Sequence, residues 1–146
     1  MAGEPARIAL VPAPGSADSI GLSGWSPTDN DAYTPGALSA VLRTWQERFG
    51  ARVIGVGSGT LWLSVAAPPT TIEQAVRVTV EHFCFCPEVE PPTLFDEYED
   101  LPRVELPGDF VATETERLGA KPDKDSMLLP YAADIAGRHV WRFWWD

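Results

Sequence analysis

Cysteine, histidine and methionine are scarce in this chain, with two of each among 146 residues. Cys84 and Cys86 are separated by one residue, a spacing that gives poor disulfide geometry. They cannot build the disulfide framework of a small secreted scaffold. Long apolar runs are missing as well. Gly, Pro, Ser and Thr break the uncharged stretches, and none nears the ~20 apolar residues of a membrane-spanning helix. The N-terminus, MAGEPARIALVPAPGSA, places Glu4 before its first Arg and has a short apolar run, Ile8 to Val11. A secretory signal needs a basic start and about 7–15 apolar residues. These absences lead us to expect a cytoplasmic protein with reduced thiols.

Positive charge is also in short supply. Eleven Lys and Arg face 21 Asp and Glu, a net charge of −10. Residues 88–125 hold twelve carboxylates against four basic groups, so −8 of that total sits in one segment. Such a charge repels nucleic-acid backbones and anionic membranes and favours a basic protein partner. What is plentiful is core material: 45% of residues are apolar, with six Trp and six Phe. A chain of this length and composition suits one domain, residues 1–146.

The pattern of residues predicts an α+β fold. Arg7 to Val11 reads as an N-terminal strand ending at the turn PAPGS. GWSPTDNDAYTPG reads as loop. Thr34 and Pro35 mark a helix start, because Thr caps orphan amides and Pro fits the first helical position. Leu38, Val41, Leu42, Trp45 and Phe49 follow as an apolar stripe, and Gly50 closes the helix. Val53–Val56 and Thr60–Ala66 form a hairpin about Gly57-Ser58-Gly59. A second helix starts at Thr70, with Glu73 completing a capping box, and buries Ile72, Ala75, Val76, Thr79, Val80 and Phe83. Residues 87–125 form an acidic, proline-rich excursion within the domain. Ser126–Ala136 reads as a short helix stopped by Gly137. The terminal HVWRFWWD reads as a strand, with Trp141, Phe143 and Trp145 on one face and Val140, Arg142 and Trp144 on the other. The expected architecture is a mixed or antiparallel sheet with two main helices packed on it.

Several motifs invite a chemical reading. EHFCFC, residues 81–86, gathers a carboxylate, an imidazole and two thiols. On a continuing helix His82 and Cys86 share a face; on an extended chain His82, Cys84 and Cys86 do. Either way only two or three ligands meet, where a structural zinc site needs four. Buried thiols ending a helix are the simpler reading, with Glu81 and His82 as candidate groups at the rim. GVGSGT lacks the Lys of a phosphate loop and lies between strands, so it reads as a turn. No G-x-S-x-G elbow exists, and a Cys86–His139 dyad has no local signature. Arg43, Glu47, Arg48 and Arg52 group on and after the first helix. Arg43–Glu47 reads as a surface pair, and Arg43, Arg48 and Arg52 are candidates for an anionic ligand or the acidic excursion. Trp25 and Asn30, on the loop before that helix, are candidate anchors for a partner, or Trp25 plugs the edge of the core.

The stretch LRTWQERFGARVIGVGSGTLWLSVAAPPTTIEQAVRVTVEHFCFCPE, with the terminal YAADIAGRHVWRFWWD, resembles the domain-of-unknown-function family numbered 4253, which is common in actinobacteria. RFGAR, EHFCFCP and FWWD carry the resemblance, and Gly24–Trp25 with Asn30 is similar to the family's N-terminal signature. Glu88 stands where the family tends to have Asp, and the acidic excursion is longer than usual. The resemblance implies a bacterial cytosolic protein and brings no reaction with it.

We therefore expect a non-catalytic interaction module, immunity-type or regulatory, that engages a basic protein partner. No cofactor, nucleic acid or membrane is implied, and the second face of the terminal strand leaves a homodimer open. The alternative is a small metal-dependent or thiol enzyme using Glu81, His82 and Cys86, with His82 and Cys86 as its metal ligands.

Overall fold

The computed structural model describes residues 7–28, 33–89 and 122–146. Its elements are α1 (Asp18–Ser23), α2 (Pro35–Phe49), β1 (Ala51–Val56), β2 (Thr60–Val65), α3 (Ile72–Phe85), α4 (Pro122–Ile135) and β3 (Val140–Trp144). The strands form one antiparallel sheet in the order β1-β2-β3. Helices packed on an antiparallel sheet define an α+β domain.

The strand expected at Arg7–Val11 does not form. Residues 7–13 are neither helix nor strand, and Ile8 and Leu10 are each 94% exposed. A strand persists only when a neighbour takes up its backbone amides and carbonyls. The edge nearest the arm is already partly occupied, since the Val53 amide on β1 donates to Ser16 Oγ at 2.8 Å.

Local chemistry explains the helix ends. Thr34 Oγ1 accepts from the Ala37 amide at 3.3 Å, Pro35 opens α2, and Gly50 closes it with φ 61°. Helix α3 starts one turn-position later than the sequence suggests. Its cap is Thr71, which accepts from the Gln74 amide at 3.3 Å, and Gln74 Oε1 reaches back to the Thr70 amide. Glu73 instead pairs with Arg77. Helix α4 begins at Pro122, earlier than the Ser126 start expected, and it contains Pro130. Pro130 is exposed, and lacking an amide proton it forgoes one hydrogen bond of the helix.

Helix α1 has no apolar stripe and went unpredicted. It is stitched to α2 by polar contacts. Ser39 Oγ donates to Ala17 O and accepts from the Gly21 amide, both at 2.8 Å. Gln46 Oε1 accepts from the Ala17 amide at 3.0 Å, and Arg43 pairs with Asp18 at 2.5 Å. Gly21 permits this approach, because a Cβ there would lie 2.9 Å from Ser39 Oγ.

The sheet turns one face to the helices, while Ile54, Val56, Val140 and Trp144 on the other are exposed. Leu61, Leu63, Val65, Trp141, Phe143 and Trp145 are buried on the inner face. At its centre Trp45 is fully buried, stacked on Phe143 at 5.4 Å and edge-on to Phe85, Trp141 and His82. Truncating such a ring to Ala costs about 3–5 kcal/mol. Trp62, Val140, Arg142 and Trp144 lie on the outer face, with the Arg142 guanidinium 5.9 Å from the Trp62 ring.

Candidate functional site

EHFCFC closes α3, and the helix sends its three candidate groups in three directions. Glu81 leans back to α2. Its Oε2 accepts from Trp45 Nε1 at 2.7 Å, and both carboxylate oxygens are held by Arg48. The pair is about 40% exposed, which limits its Coulombic worth to the range of surface bridges. The Trp45 bond is the more consequential half, since it satisfies an indole N–H in the core.

His82 points inward and is fully buried. Its Nδ1 shares a 2.9 Å hydrogen bond with the Tyr131 hydroxyl of α4. Trp45, Trp141 and Phe143 surround the ring edge-on. Burial, with a smaller contribution from the Arg48 charge, lowers its pKa to about 3, so the imidazole is neutral near pH 7. Nε2 has no hydrogen-bond partner among the described residues. His82 is therefore a core residue that joins α3 to α4, and solvent does not reach it.

Cys86 faces β3. Its Sγ donates to Trp144 O at 2.9 Å, and burial pushes the thiol pKa up to about 12. At neutral pH it is a protonated, inert thiol. Cys84 is exposed on the opposite side of the helix end. His82 and Cys86, although four residues apart, are thus engaged with different elements. Among the described residues no group of three or more His, Cys, Asp or Glu could hold a metal ion. His139, the other half of the dyad considered, shares a 2.8 Å hydrogen bond with Val65 O.

Elsewhere the candidates are likewise engaged. Arg43 binds Asp18 rather than Glu47. Trp25 is half-buried, donates through Nε1 to Gly57 O at 2.8 Å, and packs edge-on against Trp145. It closes the rim of the core beside the glycine turn. Asn30 and residues 90–121 of the acidic excursion lie outside the described residues. A groove of about 320 Å³ runs between the end of α2 and the start of α3, lined by Arg48, Phe49, Pro68, Pro69, Gln74 and Arg77. Both of its guanidinium groups are paired within the chain, Arg48 with Glu81 and Arg77 with Glu73. Among the described residues no helix is long and apolar enough to cross a membrane.

The sequence missed two polar core groups, Tyr131 and Asp134. Asp134 is buried and pairs with Arg138 at 2.5 Å. The i,i+4 spacing of that pair was the available signal.

A three-stranded antiparallel sheet with helices on one face, and a histidine–tyrosine bond tying α3 to α4, define the class: a small α+β domain with a polar link through its core. The chain belongs to the family described as "Domain of unknown function (DUF4253)", whose profile matches residues 7–146. Neither a curated protein nor a solved structure matches it.

Proposed function

We propose that the chain is a non-catalytic interaction module, immunity-type or regulatory, that engages a basic protein partner in the cytoplasm of an actinobacterial cell. The observation that carries this reading is the charge asymmetry: residues 88–125 hold −8 of the net −10. A segment so charged attracts a cationic surface and accelerates encounter with it. The state of the chemical candidates supports the same reading. Glu81, His82 and Cys86 are each hydrogen-bonded to a different part of the fold.

The test compares two full-length baits, the wild type and a variant whose Asp and Glu residues between 90 and 121 are replaced by Asn and Gln. A basic protein retained by the wild type and lost from the variant is the expected result. Loss of that protein at high salt should accompany it. Identical recovery on both baits would overturn the proposal.

A further inference from the structure

We infer that residues 7–11 of one copy add as a strand to the β3 edge of a second copy, joining two chains by a reciprocal exchange of arms. The arm and the edge are unmatched parts of one sheet. Ile8 and Leu10 each stand 94% exposed on a segment with no backbone partner among the described residues. In an extended arm Ile8 and Leu10 share one face and Ala9 and Val11 the other. The apolar run Ile8–Val11 therefore suits a strand with apolar side chains on both faces.

Among the described residues the edge is equally unmatched. Trp145 N donates to Gly59 O and Val65 N to His139 O, both at 2.8 Å. By the alternation of an antiparallel ladder, the odd-numbered residues of β3 bond to β2 and the even-numbered ones face away. Trp144 O is taken by Cys86 Sγ, which leaves the backbone of Val140 and Arg142 facing outward. Edge strands are ordinarily guarded by Pro, a bulge or covering groups. The opposite edge has such guards, with a register shift between Val53 and Gly55 and Ser16 on the Val53 amide. Strand β3 contains no Gly or Pro and no register shift, and Val140 and Trp144 are 46% and 45% exposed beside it.

Geometry and charge choose the occupant. Ser16 anchors the arm at the β1 edge, the far side of the sheet from β3, so an arm turned outward meets the β3 edge of a neighbour. Arg7–Val11 and Val140–Trp144 contain no carboxylate, so the contact is free of the repulsion that net charge imposes elsewhere. An antiparallel register with Leu10 opposite Arg142 puts Ile8 beside Trp144, whose carbonyl stays with Cys86 Sγ, and sets Arg7 near Asp146. A parallel one would bring Arg7 toward Arg138. Pro12, lacking an amide proton, then ends the pairing. Two such contacts related by a two-fold axis close the assembly.

Sedimentation equilibrium of the full chain tests the inference. The wild type should be a dimer. The variant carrying Ile8→Asp and Leu10→Asp should dissociate about a hundredfold more readily, or beyond, because two apolar side chains lose their burial. Its monomer should melt like the wild-type monomer, since both positions are exposed there. A second variant carries Leu10→Cys and Arg142→Cys in a Cys84→Ser background, and under mild oxidation it should cross-link into dimers on a non-reducing gel. A monomeric wild type, a dimer indifferent to the arm substitutions, or a cross-link confined within one chain would each overturn the inference. The last outcome would mean that the arm folds back on its own sheet.

Discussion

The Nδ1 of His82 lies 2.9 Å from the hydroxyl of Tyr131, a bond that ties α3 to α4 inside a shell of aromatic rings. The two residues are 49 positions apart, on either side of the acidic segment. This polar pair fixes how the chain returns to the core after that excursion. Burial of the ring also makes the fold sensitive to protons. The ring holds its pKa near 3 in the folded state against 6.5 when unfolded, because burial disfavours the imidazolium.

Between those values the unfolded chain binds the proton and the folded chain does not, so stability rises with pH. The contribution is complete above about pH 6.5 and is lost progressively toward pH 3, at a slope of up to about 1.4 kcal/mol per pH unit. Asp134, raised by burial, acts in the opposite direction at the acid end. Urea unfolding at a series of pH values between 7 and 5 should therefore show a falling midpoint in the wild type and a flatter one in His82→Gln. Equal slopes in the two proteins would show that His82 is not the titrating group. At pH 7, Tyr131→Phe should cost about 1–3 kcal/mol, the penalty for leaving Nδ1 unpartnered.

The thiols divide just as clearly. Cys84 is exposed, whereas Cys86 is buried with its pKa pushed up to about 12. Titration of the native protein with a disulfide reagent at neutral pH should count one reactive thiol, and the unfolded protein should count two. Cys84→Ser should abolish the native reaction. Rapid labelling of Cys86 in the native state would reopen the thiol-enzyme reading.

Much of this arrangement is legible in the sequence, for identifiable reasons. Thr34, Pro35 and Gly50 bracket α2 because capping is local chemistry, readable from a few neighbours. The division of β2 and β3 into two faces follows from strict alternation, which sets Trp141 and Phe143 on one face and Arg142 and Trp144 on the other. Which face the helices cover is a tertiary choice that alternation does not contain. The N-terminal strand failed because a strand's existence depends on a distant partner, and Arg7–Val11 has none among the described residues. Helix α1 was missed because it docks through Ser39 and Gln46 rather than through an apolar stripe. The sequence offers His82 as a candidate group at the rim, whereas the ring is fully buried. Its Tyr131 partner lies across the excursion, and no local pattern announces it.

Glu81 and Arg48 touch each other, yet replacing them should have unequal consequences. Arg48→Ala removes a half-exposed bridge and should cost no more than about 1 kcal/mol. Glu81→Ala also takes the acceptor from Trp45 Nε1, whose residue is fully buried, and should cost about 1–3 kcal/mol more. Glu81→Gln keeps an acceptor in place and should fall near Arg48→Ala. Denaturant midpoints of the three variants give this order directly. If Glu81→Ala and Arg48→Ala coincide, the indole bond contributes little.

The glycine turn offers the last test, since GVGSGT was read as a hairpin connection and not as an anion cradle. A Cβ on Gly59 would lie 2.5 Å from Trp145 O, and the neighbouring backbone is itself committed, with Trp145 N donating to Gly59 O. Neither side can give without breaking the β2–β3 contact at its end. Gly59→Ala should therefore destabilise the fold by about 1–3 kcal/mol, the usual range for forced overpacking. Gly57→Ala should be milder, because its nearest contacts are the Thr60 and Trp62 side chains at 3.6 Å and beyond. Thermal melts of the two variants settle the matter. A Gly59→Ala protein as stable as wild type would mean that the close approach of the terminal strand is not what requires glycine there.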